Sequence, residues 1–149
     1  MKAVLQRVSQ AEVRVDGITT GKIARGFLLL LGIAKGDTET DLEWMVDKIC
    51  HLRVFPNEEG KFDRSLLDIQ GQILVVSQFT LFGDCRKGRR PGFEAAALPH
   101  DAEILYEKAI GLFEQRGIYT QSGRFAAMME VDLINDGPVT LILDTSSPR

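Results

Sequence analysis

The spacing of apolar and polar positions changes period several times along the chain, and each change marks an element. Over residues 2–8 and 11–15 apolar side chains recur at every second position. In the second stretch Ala11, Val13 and Val15 alternate with Glu12 and Arg14, the pattern of a half-buried strand. Asp16-Gly17, two residues that tolerate positive φ, predicts a hairpin into a return strand at Ile18–Ile23. Residues 27–33 are apolar on both faces and flanked by Gly26 and Gly36, which predicts a central buried strand, and residues 73–79 predict a second apolar strand. Helical spacing then places Leu42, Met45, Val46, Ile49 and Leu52 on one face. Asp37 or Thr38 is the expected N-cap, with Glu39 and Asp41 in the first turn. Phe55-Pro56-Asn57 closes that element and residues 58–61 form a turn. A second helix is predicted over residues 101–115, with a stripe of Leu105, Ala109, Leu112 and Phe113 and a stop at Gly117. Residues 128–134 and 139–143 read as two last strands separated by a tight turn at Asn135-Asp136-Gly137-Pro138. Six or more strands and two helices predict a mixed α/β fold whose sheet is strongly curved or barrel-like.

With 149 residues, 44% of them hydrophobic and 26% charged, the chain is expected to be one globular domain over residues 1–149. The net charge of −3 excludes a generically basic nucleic-acid binder, so an RNA partner would need a local patch. Cys50 and Cys85 make neither a disulfide framework nor a Cys-x-x-Cys metal pair, and they favour a reducing compartment. The longest apolar run, residues 27–34, is too short for the roughly 30 Å of a bilayer. Gln6, Arg7, Ser9, Gln10 and Glu12 interrupt the place where a signal peptide needs apolar residues, so a soluble cytoplasmic protein is expected.

Nucleophilic machinery is sparse. His51 directly follows Cys50 on a helix, where neighbours point about 100° apart, which argues against a dyad. His100, beside Pro99, reads as a solvated cap ahead of a helix, and Asp63, Asp68 and Asp84 lack metal-ligand spacing. An enzyme of this sequence is expected to work without a metal, a cofactor or a histidine base. Three segments carry chemistry. Ser77-Gln78-Phe79-Thr80-Leu81 ends an apolar strand with two hydroxyls, a carboxamide and strand-end N–H groups. They are either satisfied polar groups at a strand terminus or donors able to polarise a carbonyl. Asn135 to Thr140 is either a plain turn or, with a cis Gly137-Pro138 bond (about 5–6% of X-Pro bonds), a device that aims carbonyls at one point. Arg86, Lys87, Arg89 and Arg90, next to Asp84, give +3 in eight residues and leave −6 on the rest of the chain. They form a solvated loop or a site for phosphates.

These segments together closely resemble the D-aminoacyl-tRNA deacylase (D-tyrosyl-tRNA deacylase) family. The likeness runs from residues 2–8 through 26–32, 75–81, 86–91 and Gly123-Arg124-Phe125 to residues 135–140, essentially the whole chain. It implies a compact α/β domain with curved sheets, a sheet-mediated homodimer, and hydrolysis of D-aminoacyl-tRNA with no metal, as a proofreading step of translation. It implies that Ser77, Gln78, Phe79 and Thr80 are the active-site strand, and that Gly137-Pro138 is a Gly-cisPro motif reaching into the partner subunit's site. Phe125 would line the pocket for the terminal adenosine. Arg86, Lys87, Arg89 and Arg90 remain the expected tRNA contact. The chain departs from the family pattern at Gly92, at residues 62–65 and at residues 81–85, outside both core motifs.

A cis Gly137-Pro138 is expected to hold the substrate ammonium and to collide with an L side chain while leaving a D side chain free, so glycyl-tRNA should also be cleaved. Water attack aided by the ribose 2′-hydroxyl is the favoured chemistry, and attack by Thr80 Oγ is the alternative. Two rival functions stand beside this one. An RNA-binding module would use the Arg86–Arg90 cluster alone, and a small-molecule esterase or thioesterase would ignore RNA.

Overall fold

The structure, a computed structural model, describes residues 1–147. Its strands are β1 (Lys2–Val15), β2 (Ile18–Ile23), β3 (Gly26–Gly32), β4 (Phe55–Pro56), β5 (Phe62–Arg64), β6 (Gln72–Ser77), β7 (Tyr119–Ser122) and β8 (Glu130–Asp144). The helices are α1 (Glu39–His51) and α2 (Pro99–Gln115), and a 3-10 turn spans Phe79–Phe82. The main sheet runs β2-β1-β3-β6-β7, with β8 on the other edge of β1. β3, β6 and β7 pair in parallel, whereas β1 is antiparallel to β2, β3 and β8.

β1 is one continuous strand, not the two that the pattern predicts. Its residues 2–8 pair with β3 and its residues 11–15 with β2, while β8 follows it along both halves. The polar break at Ser9-Gln10 is therefore the place where β1 changes partner, and both residues are exposed. The change curls the sheet and brings β2 towards β7. At Gly21 a Cβ would lie 2.6 Å from the Ser122 carbonyl oxygen and 3.0 Å from Leu74 Cδ1, so only glycine permits this approach. The sheet is thereby almost closed into a barrel filled by Val8, Ala11, Val13, Ile23, Leu28, Leu74 and Val76. Alternate residues of the same strands, among them Leu5, Leu29, Leu31, Ile73 and Val75, pack outward against both helices. Full burial of each such side chain is worth about 1.5–3 kcal/mol.

α1 begins at Thr38, whose Oγ1 accepts from the Asp41 N–H at 3.3 Å while the Asp41 carboxylate accepts from the Thr38 N–H at 3.0 Å. This is a reciprocal cap. Its buried face is Leu42, Met45, Val46, Ile49 and Cys50; Leu52 lies just past the end as the C-cap. α2 starts at Pro99, two residues before the expected boundary, because proline suits a first helical turn. His100 thus lies inside that turn, exposed, and is no cap. Tyr106, Ala109 and Phe113 are the buried residues of α2, with Leu105 and Leu112 on the flanks.

The strands and turns differ from the sequence reading at four further places. The expected turn at residues 58–61 is present, but it joins a small hairpin, β4–β5, that the pattern does not predict, and Asn57 holds it, its Oδ1 accepting from the Glu59 and Lys61 N–H groups. β6 ends at Ser77 and not at Phe79: the Gln78 N–H makes the last ladder bond, to Leu31 O at 2.8 Å, and the chain then tightens into the 3-10 turn. β7, whose Tyr-Thr-Gln-Ser sequence carries little strand signal, exists because it pairs with β6. The expected hairpin turn at 135–138 is absent altogether. β8 runs through it, and Asn135 pairs with Val8 while Thr140 pairs with Gln6. Four residues of β8 are spent opposite Arg7 alone, so Gly137 and Pro138 are pushed out of the ladder as an exposed bulge.

Candidate active site

Asn135 ties the base of the bulge. Its Oδ1 accepts from the Val139 N–H at 3.0 Å, and its Nδ2 donates to Thr140 Oγ1 at 2.9 Å, a hydroxyl that also accepts from Gln6 Nε2. Between these anchors the Gly137-Pro138 peptide bond is cis and Gly137 has φ +134°. An L residue there would be strained, and its Cβ would lie 2.7 Å from Val139 Cγ2 and 3.0 Å from Arg7 Nη2.

Arg7, which the sequence reading did not single out, lies directly against this bulge. It takes the inward place in β1 after Ala3 and Leu5 and is buried. Its Nε donates to the Asp136 carbonyl oxygen at 2.9 Å and its Nη1 to that of Val54 at 2.6 Å. The Asp136 carboxylate lies 3.5 Å away, and the Phe62 ring centroid 5.5 Å from the guanidinium carbon. A cation at a core-phase position was the available signal, because such a charge needs dedicated partners.

The second segment sits at the end of β6. Ser77 and Gln78 are half-buried, whereas Phe79 and Thr80 are exposed. Gln78 Nε2 donates to Thr80 Oγ1, and the Phe79 ring packs edge-on against Phe93 at 5.0 Å. Among the described residues no acceptor is recorded for the Phe79 and Thr80 N–H groups at the start of the 3-10 turn. Two residues back, the Val75 carbonyl accepts from Tyr106 Oη at 2.9 Å and from the Gly123 N–H at 3.2 Å. Burial pushes the Tyr106 hydroxyl up to about 12. The Tyr106 ring lies 5.7 Å from half-buried Phe125, which brings Phe125 to the side of the β6 terminus.

One chain does not bring its two segments together. Ser77 pairs with Leu31 and Leu31 with Ala3, whereas the bulge stands opposite Arg7. Four residues along β1 and three strand spacings across the sheet amount to on the order of 20 Å.

The cationic segment is a loop closed at its base by an antiparallel bridge between Asp84 and Gly92, with backbone bonds of 2.7 and 3.0 Å. The Arg86 guanidinium forks onto the Asp84 carboxylate and holds it below the ordinary carboxylate range, the hydrogen bonds being the main cause. Lys87, Arg89 and Arg90 are exposed and in no ion pair recorded among the described residues. Elsewhere, Cys50 is buried and pushed up to about 11 by that burial, while His51 is exposed with Nδ1 at Asp47 O, so the two share no site. Among the described residues no three His, Cys, Asp or Glu side chains gather as a metal-binding group, and no helix is long and apolar enough to cross a membrane.

The chain is similar over nearly its whole length to proteins of known family. The family model described as D-Tyr-tRNA(Tyr) deacylase matches residues 4–144. A D-aminoacyl-tRNA deacylase of Halalkalibacterium halodurans is 55% identical over 97% of this chain and 99% of its own. That of Thermus aquaticus is 56% identical over 98% and 96%. A solved structure named c-Myc DNA Unwinding Element Binding Protein superposes over 100% of both chains with TM-score 0.91 and 44% identity. A probable eukaryotic D-amino acid tRNA deacylase shares the fold at TM-score 0.81 and 19% identity, over 95% of this chain and 97% of its own. With a match that includes the strand terminus, the cationic loop and the Gly-Pro bulge, the chain belongs to the D-Tyr-tRNA(Tyr) deacylase family.

Proposed function

We propose that the chain is a D-aminoacyl-tRNA deacylase that works in the cytoplasm as a homodimer, cleaving the ester between a D-amino acid or glycine and the 3′-adenosine of tRNA. Family membership supports the reaction. The observation that carries the mechanism is the exposed Gly137-Pro138 bulge, far from Ser77–Thr80 of its own chain. A site that contains both needs a second copy. β8, which carries the bulge, pairs with β1 alone among the described residues and exposes Ile134 and Ile142, apolar surface that a partner would cover.

In such a site the backbone carbonyls of Gly137 and Pro138 face the substrate ammonium. With ammonium and ester carbonyl both placed, an L side chain runs into the bulge and a D side chain leaves towards solvent. Selectivity is then exclusion of the wrong enantiomer. Glycine has nothing to exclude and is cleaved. The Phe79 and Thr80 N–H groups and the Ser77 hydroxyl polarise the ester carbonyl, and Gln78 and Phe125 seat the adenosine. Water, aided by the ribose 2′-hydroxyl, adds to the carbonyl carbon. The C–O bond to the 3′-oxygen breaks, and that oxygen takes the proton. Attack by Thr80 is disfavoured, because its recorded side-chain partner is the Gln78 carboxamide, which donates and is no base. Lys87, Arg89 and Arg90 hold tRNA phosphates, the remaining cation Arg86 being engaged by Asp84.

The test is deacylation of D-tyrosyl-, glycyl- and L-tyrosyl-tRNA by purified protein. The first two are expected to be hydrolysed and the third spared; equal rates on both tyrosyl enantiomers would refute the filter.

A further inference from the structure

The geometry points to Phe62 as a positioning residue for the stereochemical filter, acting through Arg7 from the β4–β5 hairpin. This rests on reading the Gly137-Pro138 bulge as that filter. Arg7 is a strut with two ends. At one end its Nε donates to the Asp136 carbonyl, on the residue preceding Gly137, and its Nη2 lies 3.0 Å from where a Gly137 Cβ would be. At the other end its Nη1 donates to Val54 O, just before β4, and its guanidinium carbon stands 5.5 Å from the ring centroid of Phe62, the first residue of β5. The hairpin therefore fixes the guanidinium, and the guanidinium fixes the backbone at the bulge.

Phe62 has no other evident task in the chain. It is 57% exposed and belongs to neither apolar core. The hairpin does not depend on it, because Asn57 holds the turn and Arg53 pairs with Asp63 beside it. The ring covers the cation on a side where water would otherwise compete for its donors. Without the ring Arg7 keeps its two carbonyl partners, but its guanidinium is held less tightly between them, and the bulge is fixed less firmly. The reaction itself needs the bulge less than the rejection of L substrate does, since exclusion depends on a wall that does not give.

The experiment measures kcat/KM on D-tyrosyl- and L-tyrosyl-tRNA for the wild type and for Phe62→Ala, Phe62→Leu and Phe62→Tyr, with melting curves for each. The expected result is a D-to-L ratio reduced about two- to fivefold in the alanine and leucine variants, the factor that an exposed cation–π contact is worth. The tyrosine variant restores it, and melting temperatures stay near that of the wild type. A residue that served only stability would scale both rates together and leave the ratio unchanged, and that result overturns the assignment. A wild type that cleaves both enantiomers alike overturns the filter itself, and the role of Phe62 falls with it. Discrimination that survives in all three folded variants overturns Phe62 alone.

Discussion

Replacing Gly137 by alanine adds one methyl group at the most constrained point of the bulge. The new Cβ would lie 2.7 Å from Val139 Cγ2, 3.0 Å from the Val139 nitrogen and 3.0 Å from Arg7 Nη2. None of these neighbours yields freely. The Val139 N–H is bonded to Asn135 Oδ1, and Arg7 is held by two backbone carbonyls. The backbone at φ +134° adds its own cost, of order 1–3 kcal/mol for a residue with a Cβ. The bulge must move, and for a chain of this size the strain lowers Tm by about 2–12 °C. A group displaced by about 1 Å in an active site can lose on the order of 100-fold in rate. D-tyrosyl-tRNA turnover is therefore expected to fall ten- to a hundredfold, with glycyl-tRNA affected alike, measured by single-turnover deacylation on protein shown to be folded by circular dichroism. A folded Gly137→Ala protein with wild-type turnover and an unchanged D-to-L ratio would refute the placement of this bulge at the reacting ester.

Other perturbations address other parts. Thr80→Ala should retain near-normal turnover, because Thr80 positions and does not attack; loss of all activity, together with an acyl-enzyme trapped from the wild type, would reverse that. Arg89→Ala with Arg90→Ala should weaken binding of every tRNA about equally and flatten the log–log salt dependence by about 1.4–1.8, a change that filter binding across a salt series detects. Tyr106→Phe removes a buried hydroxyl from Val75 O, which keeps its bond from the Gly123 N–H, so the loss should be about 1 kcal/mol in a denaturant titration. Because burial raises the Tyr106 hydroxyl from 10 to about 12, its stabilising contribution is complete below pH 10 and is lost as the pH rises towards 12. The decline in stability across that window should therefore be shallower in Tyr106→Phe than in the wild type.

The sequence made the buried strands and helices legible wherever one physical rule dominated. Residues 27–33 are apolar on both faces because β3 lies mid-sheet with a core on each side, and the stripe of α1 follows from a single packing face. Boundaries failed where a partner far along the chain decided the outcome. Ser9-Gln10 looks like a break between strands, yet β8 bridges it; Asn135 to Pro138 has turn composition, yet β1 holds both flanks in one ladder. β7 is too short and polar to announce itself without β6 beside it. Ser77, Gln78, Phe79 and Thr80 could be located from their polarity at the end of an apolar run. That they straddle a strand and a 3-10 turn follows only from the bond between the Gln78 N–H and Leu31 O. Arg7 was visible as a letter but not as a strut, since Val54, Phe62 and Asp136 are remote from it in sequence.

The most direct test of a site shared between two copies is subunit mixing. A Gly137→Ala chain keeps its strand terminus and loses its bulge, and a chain with Ser77→Ala and Gln78→Ala keeps its bulge and loses its strand terminus. Each alone should cleave D-tyrosyl-tRNA poorly. Unfolded and refolded together, they form mixed dimers in which one of the two sites is whole, and about a quarter of wild-type activity should return for random pairing in a twofold dimer. Mixed dimers present in the expected proportion by mass spectrometry but no more active than either parent would contradict the account.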